Sequence, residues 1–328
     1  MQAPEFWNAS GGQARLVSTL LAPLGCLYGY SVRLRQMRAH PFRTKARVLC
    51  VGNLTAGGTG KTPVAIAVGR MLMARGARIV FLSRGYGGRL EGPVQVDPMH
   101  HTAADVGDEP LLLAATAPTV VARDRGLGGQ LCDTLGAEVI VMDDGPQNFQ
   151  LAKDLSLVVV SGKEGFGNGR IIPAGPLRES VDQGLARADA VIIMGRGNPA
   201  VPFNGPILRA RAFPTSPEAL RGEKVFAFAG IADPKRFFDL VEMTGAKLLG
   251  RQVFDDHHAF TKLEISVLRL AAEKLGARLI TTEKDYVRLD PGSREGIAPI
   301  PVSAAFDDEA KIAPLLDRLY APRNNACA

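Results

Sequence analysis

The stretch "VGNLTAGGTGKTPVAIAVGRML", residues 51–72, decides the fold. Just before it, "RVLCVG" (47–52) begins an apolar run of the kind a strand buried on both faces needs. After it, "KTPVAIAVGRMLMARG" has helical apolar spacing and closes on Gly76. Between strand and helix stand Gly57, Gly58 and Gly60, then Lys61 and Thr62. A phosphate loop reads G-x-x-x-x-G-K-[ST]. Thr55 occupies the place of its first glycine, and residues 57–62 also fit the close variant G-G-x-G-K-T. Glycines let backbone N–H groups curl around phosphate oxygens, and the helix that follows aims its positive end at the same point. Thr55, Ala56, Gly57, Gly58, Thr59, Gly60, Lys61 and Thr62 are therefore expected to cradle ATP. Lys61 would reach the β- and γ-phosphates, and Thr62 would offer its hydroxyl to Mg²⁺.

Such a site needs a metal anchor, and "AEVIVMDDG" (137–145) supplies one, an apolar strand running into Asp143 and Asp144. Ligands of open α/β sheets bind beyond the carboxyl ends of the strands, which is where this pair falls. Further strands are expected at 78–88, 118–125, 155–162 and 188–196, alternating with helices in a doubly wound pattern. Prolines recur from Pro199 to Pro217 around a strand-like "PILRARAF" (206–213), which sets a linker at 206–222. A smaller α/β unit follows at 223–328, with strands at 224–231, 246–254, 277–282 and 297–304. The nucleotide-binding unit is then 41–205, and residues 1–40 stand apart from both.

With 328 residues the chain can hold two cores. Its net charge of +6 suits an anionic partner. Cys26, Cys50, Cys132 and Cys327 are scattered and form no C-x-x-C pair, which excludes a disulfide framework or structural zinc and fits a reducing compartment. "LVSTLLAPLGCLYGYSV" (16–32) carries no charge and is followed by Arg33, Arg35, Arg38, Arg43, Lys45 and Arg47. It falls short of the ~20 apolar residues of a spanning helix. Its leucines recur at helical spacing, so an amphipathic helix lying on a membrane with a basic stretch behind it is the expectation. No cleavage site follows it. The positive charge is not interleaved with stacking aromatics, which argues against nucleic acid.

Three other clusters can carry chemistry. "GDEP" (107–110) puts Asp108 at the start of a helix, where it either caps the helix or acts as a base. "RIIPAGPLRES" (170–180) is a stiff loop ending in Arg178 and Glu179. "DDHH" (255–258) joins carboxylates to two of the five histidines, an arrangement for metal binding or acid/base work. Arg84, Arg123 and Arg178 follow strands or loops and are candidates for gripping a substrate phosphate or sugar.

Together these segments resemble the tetraacyldisaccharide 4'-kinase (lipid A 4'-kinase) family. The resemblance rests on "VGNLTAGGTGKTP" (51–63), "LSRGYGG" (82–88), "GDEP" (107–110), "VMDDGPQN" (141–148), "IIPAGPLRE" (171–179), "DDHHAF" (255–260) and "TTEKD" (281–285), in the family's order. It implies two α/β/α, Rossmann-like domains around a cleft. It implies transfer of the γ-phosphoryl group of ATP to the 4'-hydroxyl of an acylated glucosamine disaccharide 1-phosphate, giving lipid IVA. That substrate sits in the inner membrane, so the enzyme is expected on its cytoplasmic face, with no obligate protein partner. The resemblance also assigns roles: Asp108 as catalytic base, His257 rather than His258 as its partner, and Asp143, Asp144 and Glu179 around the metal.

Where the family usually reads D-D-G-F-Q-H, this chain has Pro146 for the aromatic residue and Asn148 for the histidine. Rival readings meet specific obstacles. A partitioning ATPase would carry lysine where Ala56 stands, and a GTPase would need N-K-x-D where "TEKD" sets Lys284 beside Asp285. A membrane-associated ATPase switch that binds a partner protein is the alternative, but it has little use for a distant acid/base pair.

Overall fold

The structure, a computed structural model, describes residues 4–9, 11–215 and 217–321. Cys327 and most of the polar tail lie outside the described residues. The chain opens with helix α1 (Gly12–Met37) and then enters the phosphate-loop unit as β1 (Arg47–Gly52) and α2 (Lys61–Ala74). There follow β2 (Ile79–Ser83), β3 (Val94–Gln95), α3 (Ala103–Val106), α4 (Asp108–Ala114), β4 (Thr119–Val121), α5 (Arg125–Thr134) and β5 (Val139–Asp143). β6 (Leu155–Ser161), α6 (Val181–Leu185), β7 (Ala190–Met194) and β8 (Ile207–Pro214) carry the chain to the second unit. That unit holds β9 (Lys224–Ala229), α7 (Pro234–Met243), β10 (Lys247–Val253), α8 (Lys262–Lys274), β11 (Arg278–Thr282), α9 (Glu283–Arg288) and β12 (Ile297–Ile300). The chain then runs through β13 (Val302–Phe306) and α10 (Glu309–Asp317).

The large sheet has nine strands in the order β13-β8-β7-β6-β1-β5-β2-β4-β3. β1 pairs parallel with both β5 and β6, and Val51 stands opposite Asp143. The loop after β1 and the acidic pair after β5 therefore leave the sheet side by side. Successive residues of β1 serve opposite faces. Leu49 and Val51 pack with Val64 and Val68 of α2, while Val48 and Cys50 pack with Leu82, Ile140 and Cys132. That continuous burial is why the strand reads as an unbroken apolar run. The small sheet, β10-β9-β11-β12, is parallel throughout.

Two boundaries differ from the sequence reading. The segment taken as a linker strand, 206–213, is β8 of the large sheet, with Leu208 and Ala210 buried in its core. The single strand expected at 297–304 is two, broken at Pro301, whose carbonyl accepts from Thr215 N–H. β12 completes the small sheet, and β13 crosses back to pair antiparallel with β8. α10 follows it, burying Ile312, Leu315 and Leu316 in the large core. The prolines around β8 mask a strand whose alternating Leu208 and Ala210 fit a sheet buried on one face, and only long-range pairing reveals its partners.

α1 lies on the large unit through its small residues. Ser18 Oγ donates to Ala174 O at 2.7 Å, and a methyl group at Gly25 would fall 2.7 Å from Ile171 O. Leu16, Leu20, Leu24 and Leu27 are 53–71% exposed. No helix among the described residues is long and apolar enough to cross a membrane.

Candidate active site

The site gathers where β1, β5 and α4 end or begin, and the small unit faces it. Gly57 and Gly60 take φ of 122° and 86°, values that only glycine adopts without strain, and Gly60 opens α2. Lys61, the first residue of that helix, is largely enclosed, with its ammonium 3.8 Å from Asp144 and 3.7 Å from Glu109. Burial alone would lower its pKa, but Asp144, Glu109 and Asp143 together raise it above the ordinary lysine value. Thr62 Oγ1 donates to Asp143 at 2.9 Å. Thr55 and Ala56 are pinned to the "PAGPL" segment, with Ala56 N–H donating to Pro176 O at 2.7 Å.

Asp143 is fully buried, and its Oδ1 has no hydrogen-bond partner. Burial, then the nearby Glu109, push its pKa up. Asp144 goes the other way: burial raises it, but Lys61 and Arg178 more than offset that. Thr59 Oγ1 and Asn53 Oδ1, beside the loop, are also buried without partners. Orphaned buried oxygens are costly, so a ligand that satisfies them is expected. An unpaired carboxylate oxygen beside a threonine hydroxyl and a second carboxylate is a hard-oxygen donor set that suits Mg²⁺. Among the described residues no cluster of three or more histidine, cysteine, aspartate or glutamate groups could hold a metal alone. Mg²⁺, which usually keeps several waters and binds with substrate phosphates, does not need one.

Glu179 departs from the expected metal set. It is buried, and its two oxygens take Gln147 Nε2 at 2.8 Å and Arg187 Nη2 at 2.6 Å. It reaches the acidic pair only through a relay, since Arg178 Nη1 lies 3.5 Å from Gln147 Oε1 and 2.9 Å from Asp144. Its contacts support holding Gln147 and Arg178 in place rather than binding the ion.

Asp108 lies in the first turn of α4, after Gly107 at φ 89°, so it is not the cap of the helix. It is 4% exposed. Arg288 grips it through Nε at 2.8 Å and through Nη2, while His257 Nδ1 stands at 3.3 Å and Lys284 Nζ at 3.8 Å. Burial would raise its pKa, but His257, Lys284 and Arg288 hold the carboxyl far below the usual range. His257 Nδ1 is also 3.1 Å from Arg288 Nη2. The two approaches need opposite states of that nitrogen: it must be protonated to donate to Asp108 and unprotonated to accept from Arg288. His257 sits at φ 61°, a strained conformation for a histidine, with Tyr86 packed edge-on at 5.8 Å. His258 instead turns to Glu264 at 3.0 Å and stacks on Phe254.

The three arginines divide. Arg178 is at the acidic pair, Arg123 pairs at the surface with Glu91, and Arg84 is exposed. Sequence reasoning gave Glu109 only a favourable charge in the first turn of its helix, and gave no site role to Lys284, Asp285 or Arg288. Asp285 is fully buried, takes Gly230 N–H at 3.0 Å and holds Arg288 at 2.9 Å. The signal was "TTEKD" at a strand end, three residues before an arginine. Thr282 caps α9 there, and from that helix Lys284 and Arg288 reach α4 while Asp285 holds Arg288. Of the two departures, Pro146 packs on Gly52, and Asn148 donates to Gln150 at 2.9 Å.

The family model of tetraacyldisaccharide-1-P 4'-kinase matches residues 17–321. The chain is 50% identical over 333 residues to the tetraacyldisaccharide 4'-kinase of Rhodospirillum rubrum, covering 98% of this chain and 99% of the relative. It is 49% identical to that of Paramagnetospirillum magneticum, covering 97% and 99%. Its fold is similar to the crystal structure of LpxK from Aquifex aeolicus in complex with ATP. The TM-score is 0.75 and the identity 26%, over 93% of this chain and 100% of that one.

Proposed function

The chain belongs to the tetraacyldisaccharide 4'-kinase family, and on that premise we propose how its residues carry the reaction. It is an ATP-dependent kinase that transfers the γ-phosphoryl group to the 4'-hydroxyl of a tetraacyldisaccharide 1-phosphate, yielding lipid IVA. One observation carries the residue assignment: Glu109, next to the pinned Asp108, lies 3.7 Å from the phosphate-loop Lys61, so base and phosphate share one pocket.

Residues 55–62 hold the triphosphate, and Lys61 neutralises it. Thr62, Asp143 and Asp144 would hold Mg²⁺, which would offset charge on the transferring group. Asp108 orients the sugar hydroxyl and takes its proton. Its depressed pKa makes it a weak base, which suffices because the loose transition state of phosphoryl transfer asks for the proton late. His257 positions the carboxylate from the opposite side, and Arg288 and Lys284 keep it ionised. Pockets in which the base comes from one unit and its partners from another are completed by closure. The domain division that fits this reading is 41–214 with the returning 302–319, against 217–300. The exposed leucines of α1 and the basic stretch after it support attachment to the inner-membrane surface, where the acyl chains hold the substrate.

The test is transfer of label from γ-labelled ATP, with Mg²⁺, to a detergent-dispersed acylated disaccharide 1-phosphate, beside a lipid-free control. Label on the lipid is the expected result. Label released only as free phosphate, lipid present, would favour an ATPase switch and reopen the roles of Asp108 and His257.

A further inference from the structure

Four cations that face the cleft are matched by carboxylates: Lys61 by Asp144 and Glu109, Arg178 by Asp144, Lys284 by Asp108 and Glu109, and Arg288 by Asp108 and Asp285. A fifth is not. Arg236, in the first turn of α7, has no ion pair among the described residues and no hydrogen bond from its guanidinium. Asp233 caps the same turn and takes the Arg236 backbone N–H at 3.3 Å. That carboxylate is close enough to be felt by the guanidinium but does not pair with it. The side chain is half-buried, and burial pushes its pKa below the ordinary arginine value. Phe237 and Phe238, the next two residues, are buried in the small core and fix the turn.

The position is specific. A methyl group at Gly60 would fall 3.8 Å from Arg236 Nη1, and one at Gly58 would fall 3.8 Å from Ala232 Cβ. The start of α7 and the segment before it thus lie directly over the phosphate loop, on the opposite unit from Lys61. A partly buried cation without a counter-charge is unfavourable unless an anion completes it. Over a phosphate loop, the anion that fits a planar fork of donors is a phosphate.

We propose that Arg236 binds the phosphates of ATP from the small unit, clamping the nucleotide between α7 and the phosphate loop. This rests on the ATP-dependent reading above and adds a residue to it. The same unit holds His257 and Arg288 against Asp108, so ATP bound by Arg236 would steady the unit that positions the base.

The experiment is calorimetric titration of the full-length protein and of Arg236→Ala, Arg236→Gln and Arg236→Lys with ATP and, separately, with inorganic tripolyphosphate, in Mg²⁺. Melting temperature is recorded as a check on folding. Loss of a charge-assisted contact to phosphate should weaken ATP roughly ten- to a hundred-fold in the alanine and glutamine variants. Tripolyphosphate should weaken in parallel, and lysine should restore part of both. KM for ATP should rise with them while KM for the lipid stays. Weakened ATP with unchanged tripolyphosphate would place the guanidinium on the base and overturn the phosphate assignment. ATP binding like that of the parent in every variant would overturn it too, leaving the kinase reading intact. A parent protein that binds no ATP would overturn both.

Discussion

Asp108 is surrounded by two cations, Arg288 and Lys284, and the His257 imidazole, and that sets what its removal does. Asp108→Ala is expected to lower kcat by about 10²–10⁴-fold, the usual reach of a general base, with ATP affinity nearly unchanged because Lys61 and the loop are untouched. Steady-state kinetics with a nucleotide titration checks it, and unchanged turnover would leave Asp108 a structural acid. Arg288 is the larger structural risk. It is 7% exposed and bridges Asp108 and Asp285, so Arg288→Ala strands two buried carboxylates. The expected loss is about 3–5 kcal/mol of stability, read from the denaturant midpoint. Asp108 also contributes to acid stability. Its folded pKa lies below its unfolded value of about 3.9, so its contribution is complete above that value and disappears as the pH falls toward the folded one. Asp108→Asn should therefore flatten the acid limb of a stability–pH curve below about pH 4 and leave the neutral plateau's slope unchanged.

At the scale of elements, two glycine positions do what no other residue can. Gly60 holds φ 86° at the start of α2, and a Cβ there would press within 3.0 Å of Met194. Gly60→Ala should cost about 1–3 kcal/mol in local strain and open the loop, which ATP titration would record as weakened binding. Gly25 lets α1 lie against Ile171, while Leu16, Leu20, Leu24 and Leu27 face outward with 53–71% of their surface free. If that face rests on lipid, each leucine contributes about 1.5–3 kcal/mol. Changing Leu20, Leu24 and Leu27 to serine should abolish vesicle sedimentation at high salt and leave a residue of binding at low salt through the basic stretch. Vesicle binding unaffected at any salt concentration would remove the membrane role from α1.

For the molecule as a whole, the return of β13 and α10 makes the last segment part of the nucleotide unit. Leu316 is fully buried there, so Leu316→Ala should destabilise by about 2–5 kcal/mol. A chain ended at residue 301 should lose ATP binding along with the edge strand, although the phosphate loop is far away in sequence. Retained ATP affinity in that truncation would show that β13 and α10 are dispensable to the large sheet. The two units meet through α4 and α9, where Lys284 and Arg288 cross to Glu109 and Asp108. Charge pairs hold the cleft together with Val287, which packs against the cluster of Val106 and Leu111, and ligands that compete for those charges can loosen it.

The phosphate loop, the acidic strand end and the amphipathic helix were legible in the sequence because each is local. Glycine conformations, strand burial and helical spacing are properties of adjacent residues, and Lys61, Thr62, Asp143 and Asp144 follow from them. "GDEP" and "DDHH" could be recognised as chemistry, but their meeting could not be derived from spacing, since Asp108 and His257 come from separate sheets. Pairing of charges belongs to the tertiary structure. Glu179 reads as a metal ligand in sequence, but Gln147 and Arg187 take its oxygens, and nothing local marks Arg288, which closes on Asp108 and Asp285. The path of the chain after Pro301 belongs there too, because an edge strand carries no mark of which sheet will accept it; only the open edge at β8 decides that.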